Sequence, residues 1–99
     1  RDEFDEEELG YKKIDDTNFI FEGRCMIYDV CKIMELPIDT FDGVKGDSDS
    51  IAGLILELAG EIPAQGAIVP SGDFEFTVLE VEKNRIQKIK VSIQRQAES

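Results

Sequence analysis

The side chains best placed to do chemistry are Asp42, Asp47 and Asp49, interleaved with the hydroxyls of Ser48 and Ser50. Carboxylates and hydroxyls are hard oxygen donors, so the cluster offers ligands to a divalent cation such as Mg²⁺ or Ca²⁺. The spacing is not that of an EF-hand. A loop counted from Asp47 puts Leu58 at its twelfth position, where the bidentate acid of that motif belongs. Helix capping and solvent exposure account for the same residues, so they are weak candidates and no metal site is assigned.

The rest of the chain offers little to a reaction. It has no histidine, which removes the commonest general base and transition-metal ligand. No serine, threonine or cysteine has an evident base beside it. Neither a P-loop nor a Gly-x-Gly-x-x-Gly fingerprint occurs. Cys25 and Cys31 are six residues apart on one expected helix. At 1.5 Å rise that is about 9 Å along the axis, too far for a disulfide. Both read as reduced, small core residues of a cytosolic protein. The expectation is a chain that is not an enzyme and holds no cofactor.

Charge narrows the partners. The formal net charge is −11, which repels nucleic acid phosphates and anionic membrane surfaces alike. It is unevenly placed: residues 1–9 hold six acids against one arginine, whereas 83–95 hold Lys83, Arg85, Lys88, Lys90 and Arg95 against no acid. The acidic block reads as a solvated linker. No apolar run approaches the roughly 20 residues that span a bilayer, and the stretch opens without the basic-then-apolar pattern of a leader. Ninety-nine residues, 41% hydrophobic and 33% charged, fit one small folded domain with one core. Because the chain starts at Arg1, it is expected to be a piece of a longer protein.

The elements that would position these side chains follow from periodicity. Tyr11–Ile14 and Asn18–Glu22 read as strands joined by Asp15-Asp16-Thr17-Asn18, which has turn chemistry. Gly23 lets the chain change direction. Met26, Ile27, Val30, Cys31 and Met34 form the apolar stripe of a first helix, closed by Pro37. Residues 38–48 read as loop. Ile51, Leu54, Ile55 and Leu58 define a second helix, capped by Asp49 or Ser50 and stopped by Gly60 in the left-handed conformation. Gly53 inside it costs roughly 1 kcal/mol against alanine, a loss expected to be offset by close approach of the helix to a sheet.

The last third predicts a register. If Glu82-Lys83-Asn84-Arg85 is a two-residue hairpin, partner numbers sum to 167. Phe74 then faces Ile93, Phe76 faces Val91, and Val78 faces Ile89, all on one side of the sheet. On the other side Thr77 pairs with Lys90, Leu79 with Lys88, and Val81 with Ile86. Leu79, Val81 and Ile86, bordered by Lys88 and Lys90, thus form a candidate interaction patch at the hairpin tip. The fold class expected is α+β: a mostly antiparallel sheet of four or five strands with two helices on one face.

Several segments carry a family resemblance: Asp49, Ser50 and Gly53; Leu54, Leu56–Leu58, Gly60, Ile62, Pro63 and Gly66; and Phe76–Val81. In this order they resemble the CorC/HlyC transporter-associated domain, which ends membrane proteins related to magnesium and cobalt efflux proteins and hemolysins. Glu22-Gly23-Arg24 is similar to the family's Asp-Gly-Arg, and the acidic opening to the connector after its paired CBS domains. Ala52 departs from the family's first glycine, and Lys83-Asn84 from an Asp-Gly-like turn. Gly46-Asp47-Ser48 looks like an enlarged loop. The opening and the Cys/Met-rich first helix resemble members linked to gliding motility in Bacteroidetes.

The resemblance implies an acidic linker over 1–9, the transporter-associated domain over 10–95 and a tail over 96–99. It also implies a place on the cytoplasmic side of the inner membrane, as part of a membrane protein that this segment does not itself insert. Its partners would be the preceding CBS domains, the membrane domain, or a second copy in a homodimer. In fold the family resembles part of the FAD-binding domain of PCMH-type flavoenzymes. The alternative function is accordingly a small-ligand module for a flavin, an adenine nucleotide or a divalent cation, although the glycine-rich cradle for a pyrophosphate has no counterpart in the chain.

Overall fold

The computed structural model describes residues 10–44 and 46–94. The acidic linker and the tail expected from the sequence lie outside the described residues. Seven elements follow in order: β1 (Tyr11–Asp15), β2 (Asn18–Glu22), α1 (Ile27–Ile33), α2 (Ile51–Ala59), β3 (Ile68–Ser71), β4 (Phe74–Glu82) and β5 (Arg85–Ile93). The strands form one antiparallel sheet in the order β1-β2-β5-β4-β3. The α+β class expected from periodicity is what the chain adopts.

Alternation assigns the two faces. A cross-strand row runs Lys13, Phe19, Val91, Phe76, Val69, and its last four members are buried. Phe21, Ile89 and Val78 make the adjacent row. Against this face pack Ile27, Val30, Cys31 and Met34 from the first helical region and Ile51, Leu54 and Ile55 from α2. Burial of these side chains is the main stabilising term, at about 1.5–3 kcal/mol for each large one. The edges are blunted. β3 is four residues long and carries Pro70, and β1 carries Lys12 and Lys13 and a register break at Ile14, all of which discourage pairing with a stray strand.

The two expected hairpins form where turn chemistry places them, and Gly72-Asp73 makes a third between β3 and β4. The Asp15 carboxylate accepts hydrogen bonds from the Thr17 N–H at 2.9 Å and from Asn18 Nδ2 at 2.9 Å. At the other hairpin, Lys83 and Asn84 both take positive φ, 54° and 65°, as a type I′ turn requires. The sum of 167 holds from Phe74–Ile93 to Val78–Ile89 and again at Val81–Ile86 and Glu82–Arg85. Between them it fails. Glu80, not Leu79, stands opposite Lys88, because an extra residue in β4 at Leu79 is followed by an extra one in β5 at Gln87. Each such bulge reverses which way the following side chains point. Ile86 consequently turns inward, 6% exposed, and Val81 packs against the core beside it.

Two local expectations need correction, and one core residue was not expected. Met26 does not join the apolar stripe; it is the exposed N-cap residue, and α1 starts at Ile27. The helix also ends at Ile33, well before Pro37. The Leu36 N–H bonds to the Cys31 carbonyl at 2.7 Å and the Glu35 N–H to the Lys32 carbonyl at 3.2 Å, the paired bonds of a Schellman stop, with Glu35 in the left-handed position at φ 61°. Within the loop that follows, Phe41 is buried at 2% exposure against the rings of Phe74 and Phe76, a core residue that periodicity could not reveal.

Two outcomes are expected. Glu35→Gly removes the steric conflict of a side chain at positive φ and raises stability by about 1 kcal/mol, measured as a higher urea midpoint with unchanged slope. The hydrogen bonds from Thr17 and Asn18 lower the pKa of Asp15 below its ordinary value. Their contribution is therefore present above the unfolded-state pKa and lost as pH falls through the folded-state value. A carboxyl NMR titration will show Asp15 titrating below an ordinary aspartate, and Thr17→Val combined with Asn18→Ala will move it only part of the way back, because the Thr17 N–H, the largest cause, remains.

Candidate interaction surface

The site is built around Gly23. Its N–H donates to the Gln87 carbonyl at 2.9 Å and its carbonyl accepts from the Ala52 N–H at 3.2 Å, tying β5 to the first turn of α2. A Cβ at this position would lie 2.1 Å from the Ile86 carbonyl oxygen and 3.1 Å from the Ala52 Cβ. The close approach of α2 to the sheet that Gly53 was expected to allow is made at Gly23 and Ala52. What crowds Gly53 is the loop: a Cβ there would meet Ser48 Oγ at 2.8 Å.

Beyond Gly23, the Ile51 N–H donates to the Cys25 carbonyl at 2.8 Å, and the Ile27 N–H to the Asp49 carbonyl at 2.6 Å. Ser50, the N-cap residue, accepts from the Gly53 N–H on its side-chain oxygen at 3.1 Å and from the Leu54 N–H on its carbonyl at 2.9 Å. Every N–H of the first turn of α2 thus has a protein acceptor. A bound phosphate would find none of the donors that make a helix start an anion site, and the likeness to flavin-binding domains receives no support from this geometry.

Above this junction lies a half-open cleft of about 620 Å³, between α2 and the tip of the β4–β5 hairpin. One wall is apolar, formed by Ala52, Leu56 and Ile62 with Ile86 beneath them. The other is charged, with Arg24, Arg85 and Lys88 beside Glu22 and Glu80. Arg24 Nε donates to Glu22 Oε1 at 2.6 Å.

The candidate residues from the sequence scatter over this frame. Asp42, Asp47 and Asp49 are exposed, and among the described residues no three acids, cysteines or histidines come close enough to hold a metal ion. The proposed tip patch is divided by the bulges: Ile86 is in the core and Val81 leans on it, while Leu79 and Lys90 are half-buried and Lys88 is exposed. Burial raises the pKa of both Cys25 and Cys31 above the ordinary thiol range, so both are held as thiols, without the thiolate a nucleophile needs. Cys25 Sγ lies 3.1 Å from the Gly10 carbonyl oxygen.

The surface that the stripe analysis missed is the outer side of α2. Leu56 is 38% exposed, and Ile62 just beyond the helix is 40% exposed. The signal was in the composition, since Glu57 is the one polar side chain among the nine of Ile51–Ala59.

The profile of the CorC/HlyC transporter-associated domain matches residues 12–95. The chain belongs to the CorC/HlyC transporter-associated domain family. The solved transporter-associated domain of a CBS domain protein from Porphyromonas gingivalis is 32% identical, with a TM-score of 0.79 over 86% of this chain and 98% of that one. The UPF0053 protein YegH of Escherichia coli is 32% identical over 77% of this chain, and Hemolysin C of Brachyspira hyodysenteriae 29% identical over 92%. The chain spans 14% and 32% of the lengths of those two relatives. Among the described residues of this transporter-associated domain, no helix is long and apolar enough to cross a membrane.

Family membership gives the Glu22-Gly23-Arg24 motif a physical content: the glycine is where helix, strand and turn meet without room for a side chain. Gly23→Ala should therefore destabilise the domain by about 3 kcal/mol or more, the upper end for overpacking. Gly43→Ala, where a Cβ meets nothing within 4 Å, should stay within about 1 kcal/mol. Urea denaturation of the two variants makes the comparison.

Proposed function

We propose that this domain is a non-catalytic accessory module on the cytoplasmic side of a CBS-containing membrane protein of the divalent-cation efflux class. It acts by contact with neighbouring domains or with a second protomer. The observation that carries this reading is the family match across residues 12–95. It is supported by the exposed side chains of Leu56 and Ile62 beside a cleft, and by the absence among the described residues of any cluster of acids, cysteines or histidines that could hold a metal ion.

A contact module changes transport only if it binds one conformational state of the parent more tightly than another. A differential affinity of about 1.4 kcal/mol shifts the balance of states tenfold. The test is Mg²⁺ and Co²⁺ flux in vesicles holding the full-length parent or the parent lacking residues 10–95. The expected result is a several-fold change in flux or in its dependence on cation concentration, reversed by adding the isolated domain. Identical flux from the two proteins, at equal amounts of folded parent, would overturn the reading.

A further inference from the structure

We infer that the outer face of α2 is a self-association surface, on which a second copy of this chain packs its own α2 antiparallel about a twofold axis near Leu56. The inference rests on the reading of the domain as a contact module and names the face and the partner.

Three observations lead to it. First, α2 is apolar almost all round, a pattern of helices that are covered on every side. Its inner stripe of Ile51, Leu54 and Ile55 is buried in the core, yet Leu56, on the opposite side, is 38% exposed and forms a continuous wall with Ala52 and Ile62, itself 40% exposed. Second, this wall lines the 620 Å³ cleft, so it can receive a protruding side chain as well as present one. Third, the charges around α2 are placed at opposite ends. Arg85 and Lys88 line the cleft at the start of the helix and form no ion pair among the described residues. Glu57, in the last turn, and Glu61, just after it, are exposed, and no basic residue occupies that turn. Acids at a helix C-terminus are disfavoured by the macrodipole.

A twofold antiparallel pairing answers all three. Leu56 meets the partner's apolar wall, the two macrodipoles run in opposite directions, and the Arg85–Lys88 end of each copy lies over the Glu57–Glu61 end of the other. Glu22 does not oppose this, since Arg24 engages it, and Glu80 has Lys88 as its cross-strand neighbour. A closed twofold contact is also the commonest way identical chains associate.

The test is sedimentation velocity of the 99-residue chain from about 20 μM to 2 mM in 0.15 M salt, where charges more than about 8 Å apart are largely screened. Concentration-dependent dimerisation is expected. Leu56→Asp, at an exposed position, should abolish it while circular dichroism remains unchanged. Arg85→Glu and Glu61→Arg should each weaken it at least tenfold. Mixing these two variants should restore dimers, because both cross-dimer pairs are then opposite in sign. A chain that stays monomeric to 2 mM, dimers insensitive to Leu56→Asp, or a mixture no more associated than its components overturns the inference. If the chain is monomeric but Leu56→Asp in the full-length parent abolishes the effect of the domain on flux, a neighbouring domain covers this face. The twofold pairing is then wrong and the accessory role stands. Association with vesicles of phosphatidylcholine and phosphatidylserine that requires Leu56 would assign the face to a bilayer and likewise overturn the pairing.

Discussion

The fold depends on one point of contact at which a side chain is not allowed. Gly23 ends the N-terminal hairpin, accepts the first turn of α2 and donates to β5, so that three segments distant in sequence share one residue's two backbone groups. Backbone hydrogen bonds are worth about 1 kcal/mol each in net terms, but here they fix orientation as well. They bring α2 down onto the sheet, leave its inner stripe no choice but the core, and turn Leu56 outward. The bulge at Gln87 belongs to the same junction, since it breaks the ladder where β5 turns its carbonyl to Gly23 and drops Ile86 under the helix.

Elements governed by a single periodicity were legible in the sequence. Two of the three hairpins, both helices and the 167-sum register from Phe74 to Val78 follow from alternation, 3.6-residue spacing and turn residues, because each of those signals is local. The stops and crossings were not. Glu35 gives no hint of a left-handed position that glycine usually fills; Phe41 sits in a stretch with no period; and the paired bulges come from a tertiary demand, the fit of Gly23 against β5. Once the register slips by a residue and returns, the faces of Val81 and Ile86 reverse, and a patch drawn from ideal alternation falls apart.

The functional side divides the same way. Absence of histidine, unpromising cysteines and the order of the family's motifs all pointed away from a reaction centre; in the structure the donors at the start of α2 are occupied and burial raises the pKa of both thiols. The exposed side chains of Leu56 and Ile62 were hidden because inward-facing periodicity is silent about the residues on the other side.

One consequence of the strand order concerns how the domain is made. β5 is the last of the described strands in sequence and the middle strand of the sheet, so the N-terminal hairpin has no neighbour until the final strand of this sheet has been made. The N- and C-terminal portions close on each other like the two halves of a clasp. Loss of β5 takes away the seam instead of an edge, leaving β1–β2 and β3–β4 as two separate pairs with no half-sized folded form to settle into.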